Sequence, residues 1–408
     1  MTGRPDAGRS TFLYVLVAVA GLVAGCSGGP ILANEPVLRP SPAPTPAPPV
    51  AVSDPAPIVF PRDDGPHRRL TEWWYYTGHL QDRGGGRYGF EFVVFRAERG
   101  DFPVTWASHL AITDETGDRF LYGQRSEIGA RVDASPRAGS DPTGFSFDVK
   151  GLDPTRPDTF ANPAWTMSRV GDEDRLVAAF SAAEAAAAGA PGGLGLDLRL
   201  STNRPPALHN RDGWIDFGPA GSSYYYSRTR MDATGGLFLD GRTLQVDGQA
   251  WFDHQWGDFI SVGGGGWDWF AVNLDDGTDI ALSRVRDASG GYPLVYGTLV
   301  KPDGSTSHLG PDAFTVNVTS HWRSSKTGAE YPAGWRIRLP SAGLDIELAP
   351  SVAAQELDTR ETTGVVYWEG SQQVTATRDG VPLGGEAYVE LTGYAPALAT
   401  SSAVPSAP

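Results

Sequence analysis

Short apolar runs rich in β-branched and aromatic residues recur along most of the chain at about ten-residue spacing, and they indicate β-strands rather than helices. The clearest case is the pair of runs at residues 72–80 and 90–95, which flank a glycine-rich turn, DRGGGRYG, and predict a β-hairpin. Asp-Gly, Gly-Gly, Asp-Pro and Arg-Pro pairs separate the later runs, as turns do. We predict further strands at residues 106–113, 120–124, 145–149, 194–200, 223–231, 236–246, 269–273, 279–286, 295–301, 313–317, 334–339, 344–348, 365–369 and 387–393.

Two segments break this pattern. Residues 176–189 read LVAAFSAAEAAAAG and predict a short helix or a mobile insertion. The four glycines at 263–266 predict a flexible loop, and they lack the Lys-Ser/Thr pair that a phosphate-binding loop requires.

The number and spacing of the strands limit the fold. Some sixteen strands are too many for one small barrel, and their even spacing argues against a parallel α/β sheet. We predict an all-β protein of two antiparallel β-barrels or strongly curved sandwiches, with residues 67–250 in the first domain and 251–395 in the second. The chain then passes between the domains near residues 248–266, and domain junctions commonly hold ligand sites.

The N-terminal residues predict an export signal. Arg4 and Arg9 precede an apolar stretch at 11–23 that is too short to span a bilayer as a stable helix. The stretch ends in VAGC, which resembles the bacterial lipoprotein box, so we expect residues 1–25 to be removed and Cys26 to carry a lipid. The alternative is an ordinary secretory signal with a chance cysteine. The lipidated protein would be anchored in the bacterial cell envelope, at the outer membrane facing the periplasm.

Cys26 is the only cysteine, so lipidation leaves no thiol for a disulfide, a metal-thiolate site or a cysteine nucleophile. Residues 26–66, with PSPAPTPAPPV at 40–50, predict an extended proline-rich tether, and residues 396–408 predict a disordered tail. Lys plus Arg number 33 and Asp plus Glu 48, which gives a net charge of −15. This balance disfavours nucleic acid as a partner.

The segment 248–270, GQAWFDHQWGDFISVGGGGWDWF, is the strongest candidate for a ligand site. It holds 4 of the 12 tryptophans together with three aspartates and a histidine, a combination typical of apolar sites with a few placed polar groups. In a strand, Asp253 would share a face with Trp251, and His254 would point the other way. The same alternation would place Trp73 and Tyr75 opposite Trp74. A structural alternative is that Asp253, His254 and Asp258 cap turns at a barrel corner.

Several motifs together resemble a known family. They are EWWYYTGHL with YGFEFVVFR, GSSYYYSRTRM, GQAWFDHQWGDF, GWDWF, YPAGW, YWEG and YVELTGY, and they cover residues 70–394. This ordered set resembles the AttH-like, carotenoid 1,2-hydratase-type (hydroxyneurosporene synthase) proteins, often called predicted secreted hydrolases. The resemblance implies two lipocalin-like β-barrels in tandem. It also implies kinship with enzymes that add water to an isolated carbon–carbon double bond and with lipocalin-like cyclases of fungal polyketide pathways.

Hydration of an unactivated alkene needs an acid that stays protonated near neutral pH, and an aspartic acid in an apolar barrel meets this need because burial disfavours its anion. Aromatic faces can then stabilise the carbocation. The candidate acids are Asp253 and Asp268, with His254 to orient an acid or position water. The candidate ligand-binding residues are Trp73, Trp74, Tyr75, Tyr225, Trp251, Trp256, Trp267 and Trp269.

Other sites are weakly supported. The histidines show no HExxH motif, although His79, His109 and His254 could converge in space, and we predict no metal and no cofactor. The only match to the serine-hydrolase spacing G-x-S-x-G lies at 25–29, in the cleavage site. Glu369, Glu386 and Glu390 are weaker acid candidates, and we favour the alternative that these strand carboxylates face solvent.

Two functions remain open. One is an enzyme that hydrates or isomerises a polyene or terpenoid, and the other is a carrier of an apolar ligand that serves an envelope transport system. Unpaired carboxylates facing a cavity would favour the enzyme, whereas carboxylates bonded to arginines would favour the carrier.

Overall fold

The computed structural model describes residues 54–151, 163–259 and 264–395. The predicted signal peptide, the lipidation site and most of the predicted tether and tail lie outside these residues. The described chain is almost entirely β-structure in two large antiparallel sheets, of 12 and 11 strands, with a two-stranded hairpin beside them. No helix in the described ranges is long and apolar enough to cross a membrane.

The first part of the chain forms fourteen strands, in order β1 (Thr71–Asp82), β2 (Arg87–Arg99), β3 (Phe102–Asp114), β4 (Arg119–Ile128), β5 (Arg137–Ala138), β6 (Asp141–Pro142), β7 (Gly144–Val149), β8 (Trp165–Val170), β9 (Glu173–Ala179), β10 (Leu194–Ser201), β11 (Ala207–Leu208), β12 (Trp214–Asp216), β13 (Ser222–Leu239) and β14 (Arg242–Gly257). All except the β5–β6 hairpin belong to the first sheet.

The second sheet contains the remaining strands, β15 (Gly264–Leu274), β16 (Asp279–Asp287), β17 (Leu294–Val300), β18 (Thr306–Leu309), β19 (Thr315–Arg323), β20 (Glu330–Leu339), β21 (Leu344–Pro350), β22 (Glu356–Asp358), β23 (Val366–Arg378), β24 (Val381–Leu383) and β25 (Gly385–Thr392). The helices are short: α1 (Ala182–Ala187) and 3-10 turns at Arg62–Asp64, Ala130–Val132, Gly218–Ala220, Pro311–Ala313 and Pro340–Ala342.

The two sheets share a topology. Each opens with a meander of four strands, β1 to β4 and β15 to β18, and in each the first strand also pairs with the last long strand of the same sheet, β14 or β25. This architecture confirms the prediction of an all-β, lipocalin-like tandem fold. The first sheet extends to Gly257 and the second begins at Gly264, so the segment that we assigned from residue 251 to the second domain completes the first sheet.

Several local predictions were wrong. The short helix predicted within 176–189 is present at Ala182–Ala187, where Ser181 and Glu184 form a capping box, but the start of that range belongs to strand β9 (Glu173–Ala179). The predicted strand at 236–246 contains the turn between β13 and β14, where Asp240 has a φ of 50°. Of the four glycines, Gly264 and Gly266 pair with β16 inside β15.

The predicted tether also ends earlier than we expected. Asp63 and Asp64 are buried, and Ile58 and Phe60 pack against the core of the first sheet. The Asp64 carboxylate accepts hydrogen bonds from Tyr226 and Arg228 of β13. The residues just before β1 therefore belong to the folded region rather than to a spacer.

Each sheet has its own hydrophobic core, and a third cluster lies between the sheets. Strands β1 and β2 contribute to both environments: Trp74 and Tyr76 enter the first core, whereas Tyr75 and Val93 contact the second sheet. A strand that is buried on both faces carries a continuous apolar run instead of a strict alternation. This explains the sequence EWWYYTGHL, and it places aromatic side chains at the junction.

Candidate active site

The site lies between two rows of side chains, one from each sheet. Antiparallel register places residues directly opposite each other on the same face, so a row of paired residues runs across each sheet. The row of the first sheet is Ser227, Asp253, Tyr75, Val93 and His109, from β13, β14, β1, β2 and β3. The row of the second sheet is Tyr296, Ser283, Trp269, Glu390 and Glu369, from β17, β16, β15, β25 and β23.

A cavity with about 720 Å³ of empty space, part of it open solvent, separates the rows. Its wall is mainly aromatic, with two carboxyl groups. The lining residues are Trp73, Tyr75, Phe95, Phe217, Tyr225, Asp253, Gln255, Phe259, Trp267, Trp269, Ser283, Val285, Tyr296 and Glu390. An apolar cavity with a few convergent polar groups is the usual form of a small-molecule site.

Asp253 is the central polar group of the first wall, and it is 3% exposed. Its Oδ1 accepts hydrogen bonds from Ser227 and, at 2.7 Å, from the indole of Trp251, and its Oδ2 accepts one from the Tyr225 hydroxyl at 2.7 Å. Burial raises the pKa of Asp253 to about 7, although these three hydrogen bonds oppose the rise. No ion pair joins Asp253 to a cation of the described chain, so this carboxyl is held in place yet poised to keep or release a proton.

A chain of hydrogen bonds supports Asp253 from behind. His209 Nε2 lies 2.6 Å from the Ser227 hydroxyl, and His209 Nδ1 lies 2.9 Å from the Thr298 hydroxyl of the second sheet. Burial lowers the pKa of His209 to about 3, so its imidazole is neutral. A consistent set of protons has Thr298 donating to His209, His209 to Ser227, and Ser227 to Asp253.

Three glutamates extend the acidic region along the junction. Burial raises the pKa of Glu390 to about 7, with a further rise from Asp253 and an opposing effect of the Trp267 indole. Burial likewise raises the pKa of Glu91 to about 8 and that of Glu369 well above its usual range, with Glu390 adding to both. Such neighbours share protons rather than ionise together near neutral pH.

The innermost groups are incompletely bonded. Both carboxyl oxygens of Glu369, Glu91 Oε2 and the Tyr75 hydroxyl have no partner within hydrogen-bonding geometry among the described residues. Burial raises the pKa of Glu369, and the nearby Tyr75 hydroxyl opposes that rise. Deeper still, Tyr367 donates to Glu91 at 2.7 Å and lies 2.8 Å from His109 Nδ1.

The other predicted catalytic residues lie elsewhere. His254 points to the opposite face of β14, where it stacks on Trp74 and bonds to Glu72. Asp268 is held by hydrogen bonds from Tyr292 and Tyr394, with Arg284 and Arg286 each 3.6 Å away. Asp253 is therefore the only one of the three candidates that lines the cavity.

Only some of the aromatic residues that we predicted to bind ligand line the cavity. Trp73, Tyr75, Tyr225, Trp267 and Trp269 line the cavity. Trp251 lies behind the wall, where its indole fixes Asp253 and packs edge-on against Trp269. Trp74 and Trp256 belong to the core of the first sheet. The alternation expected along β1 is thus confirmed: Trp73 and Tyr75 point into the cavity, and Trp74 points into the core of the first sheet.

Sequence reasoning missed part of the site. The favoured expectation that these weaker acid candidates face solvent was wrong for Glu369, which is fully buried, whereas Glu390 is partly exposed and lines the cavity. Glu386 is partly exposed and pairs with Arg87. Glu91 and His209 were not candidates at all. The one signal in the sequence was the apolar setting of YGFEFVVF around Glu91, which is unusual for a surface carboxylate.

Comparison with known proteins supports the fold. The family model described as AttH-like matches residues 51–394. A crystal structure of an AttH-type protein from Nitrosomonas europaea is 30% identical, with a TM-score of 0.68, and the match covers 84% of this chain and 99% of that one. Kievitone hydratase from Nectria haematococca has a TM-score of 0.57 at 15% identity, covering 79% and 89% of the two chains. No curated protein matched the sequence.

Proposed function

The chain belongs to the AttH-like family, and from this premise we propose that it binds an apolar polyene or terpenoid between its two sheets and hydrates or isomerises a carbon–carbon double bond. One observation carries the proposal: two carboxyl groups, Asp253 and Glu390, face an aromatic cavity, and the pKa of each is raised to about 7 by burial. The likeness to a hydratase concerns the fold alone.

The chemistry follows from this pair. A protonated Asp253 transfers its proton to one alkene carbon, and the positive charge develops on the other carbon. The faces of Trp269, Trp267 and Tyr75 stabilise this cation. Water then bonds to the cationic carbon while Glu390 accepts a proton from it, so that one water molecule has been added. If Glu390 instead removes a proton from a neighbouring carbon, the double bond moves and the product is an isomer.

The cavity also suits a carrier that binds the same ligand without changing it. The firm fixation of Asp253 by Ser227, Tyr225 and Trp251 is the observation that favours this second function, because it would orient a polar group of the ligand equally well. The two functions differ in what happens to the bound molecule.

The test compares the ligands that co-purify with the full-length protein. We would extract apolar molecules from wild type, Asp253→Asn and Glu390→Gln and identify them by mass spectrometry. The enzyme function predicts a hydrated or rearranged product on wild type and its unsaturated precursor on Asp253→Asn, with turnover reduced by about 10² to 10⁴.

Glu386→Gln is the matched control, because Glu386 lies on the same strand as Glu390 and pairs with Arg87 outside the cavity. It should behave as wild type. If all the folded variants carry the same unmodified molecule, the protein is a carrier and the catalytic proposal fails.

We also propose that the protein is lipid-anchored at Cys26 in the bacterial envelope, facing the periplasm and open to envelope transport components as partners. The support is the VAGC motif that ends the apolar stretch at 11–23. In its native host, Cys26→Ser should abolish lipid attachment, which mass spectrometry of the mature N-terminus would measure. An unlipidated wild-type protein would contradict the anchor.

A further inference from the structure

We propose a second site, for a divalent metal ion of the zinc type, formed by His67, Glu72 and His254 on the face of the first sheet that points away from Asp253. The ligand atoms of these three residues lie within 4.8 Å of one another. Glu72 Oε1 is 2.7 Å from His67 Nδ1 and 3.0 Å from His254 Nε2. The proposal does not depend on the function of the cavity.

The fold brings the three residues together from separate segments. His67 lies in the segment before β1, Glu72 is at the start of β1, and His254 is on β14, where it pairs with Trp74. Two indole rings hold the imidazoles in place: Trp256 stacks on His67 at 4.1 Å between ring centroids, and Trp74 stacks on His254 at 4.6 Å. The rotamers of the two histidines are thus fixed by packing before any ligand arrives.

The second nitrogen of each histidine has an outer partner. His67 Nε2 lies 3.4 Å from Asp63 Oδ1, and His254 Nδ1 lies 3.4 Å from the Tyr226 hydroxyl, which is itself bonded to Asp64. In metal sites, a ligating histidine characteristically directs its other N–H to such a partner, which fixes the tautomer and raises the basicity of the ligating nitrogen. The arrangement leaves His67 Nδ1 and His254 Nε2 directed at the same carboxylate.

The donor set selects the metal. Two imidazoles and one carboxylate suit zinc or cobalt, with a fourth position for water, whereas calcium and magnesium prefer oxygen alone. Glu72 and His254 are fully buried, but 20% of the His67 side chain is exposed, so an ion can enter from that side. Arg96 lies 3.8 Å from Glu72 Oε2, on the oxygen other than the one that both histidines approach.

The alternative is that the cluster binds no metal ion and that a protonated His67 occupies its place. An imidazolium at His67 would satisfy both Glu72 and Asp63 without any metal. The structural consequence of the two alternatives is similar, since both fasten the segment before β1 to β14, so the test must detect the ion itself.

The experiment uses the full-length protein, stripped with a chelator and then titrated with Zn²⁺ by calorimetry and with Co²⁺ by visible absorption. We expect one ion per chain, a Co²⁺ spectrum of low coordination number, and a higher Tm with Zn²⁺. His67→Gln, at the accessible edge of the cluster, should fold and bind Zn²⁺ more than about 100-fold more weakly, since a lost ligand costs more than a lost outer partner.

His321→Gln is the matched control. His321 is exposed on β19 and lies outside the cluster, so any ion that it binds would be an adventitious ion. It should bind Zn²⁺ as wild type does. Asp63→Asn, which weakens the outer partner of His67 and also removes the ion pair with Arg62, should reduce affinity by about 10-fold. The metal site is refuted if wild type binds no stoichiometric Zn²⁺ or Co²⁺, or if His67→Gln binds as tightly as wild type.

Discussion

Two buried aspartates lie at the same junction and have opposite surroundings. Asp279 of β16 is fully buried and bonds to Arg230 at 2.6 Å and Arg204 at 2.9 Å, with further bonds from Thr229 and Asn273. Asp253 is equally buried, but its partners are a serine, a tyrosine and a tryptophan, all of them neutral.

The comparison shows that burial alone does not define a reactive carboxyl. Asp279 forms ion pairs with Arg230 of β13 and with Arg204, which precedes β11, so it links the two sheets. Without a cation, burial makes the charged form of Asp253 costly and raises its pKa to about 7. Neutral donors can position a carboxyl group without fixing its protonation state.

The largest difference should appear in stability. Asp279→Asn leaves two arginines without their counter-charge, and we expect it to lower the free energy of unfolding by about 3 kcal/mol. Asp253→Asn removes a carboxyl whose charge is disfavoured, and we expect a change within about 1 kcal/mol. Urea unfolding at neutral pH measures both. Equal losses for the two variants would mean that the distinction between them is wrong.

The next effect is the pH dependence of stability. The pKa values of Asp253 and Glu390 rise to about 7 and that of Glu91 to about 8, whereas in the unfolded chain these groups titrate near pH 4. The folded state therefore binds more protons, and this contribution to stability is complete below about pH 4 and is lost as pH rises through about 7 to 8.

Buried histidines limit the pH range in which the change in stability can be assigned to these carboxyl groups. Burial lowers the pKa of His109 and His209 to about 3, so their effect on stability ends above the unfolded histidine pKa of about 6.5. From about pH 6.5 to 8, the free energy of unfolding should fall by about 1.4 kcal/mol per pH unit for each carboxyl group that is still protonated in the folded state. The fall should be less steep in Asp253→Asn, which has one such group fewer. Stability that rises with pH across this window would contradict the raised pKa values.

The smallest effect concerns the donors around Asp253. Ser227→Ala removes a hydrogen bond to the carboxylate, and we expect the pKa of Asp253 to rise by about one unit because a charge-assisted bond is worth about 1.5 kcal/mol. Infrared titration of the protonated carboxyl band measures the shift. Ser283→Ala, on the facing wall of the cavity, is the control and should leave that titration in place. A shift of the same size in both variants would argue against a specific role for Ser227.

The recurring apolar runs and the turn pairs between them were enough to predict much of the architecture. Most predicted strands lie within observed ones, and alternation placed Asp253 with Trp251 and opposite His254, as the structure has them. The failures were local: the hairpin turn at Asp240 and the strand β9 that overlaps the predicted helix. At β9, pairing with β8 and β10 outweighed the helical propensity of an alanine-rich stretch.

The candidate site could be predicted only in part. The segment 248–270, where aromatic and acidic residues are concentrated, supplies Asp253 to the first wall and Trp267 and Trp269 to the second. The acids of the second wall, Glu369 and Glu390, stand in ordinary strand sequences, and they became site residues because β23 and β25 place them directly opposite each other beneath the first sheet. The proposed metal site was not predicted either, because His67 and His254 are far apart in the chain and only the fold brings them together.

The sequence by itself determined the fold class, the strand faces and the aromatic character of the junction, because these follow from the order of apolar and polar residues along one strand. Tertiary structure decided which carboxyl groups are buried without a cation, which form ion pairs with arginines and which approach a histidine. Those outcomes depend on the residue that arrives from another strand, and register across a sheet, rather than neighbourhood along the chain, selects that partner.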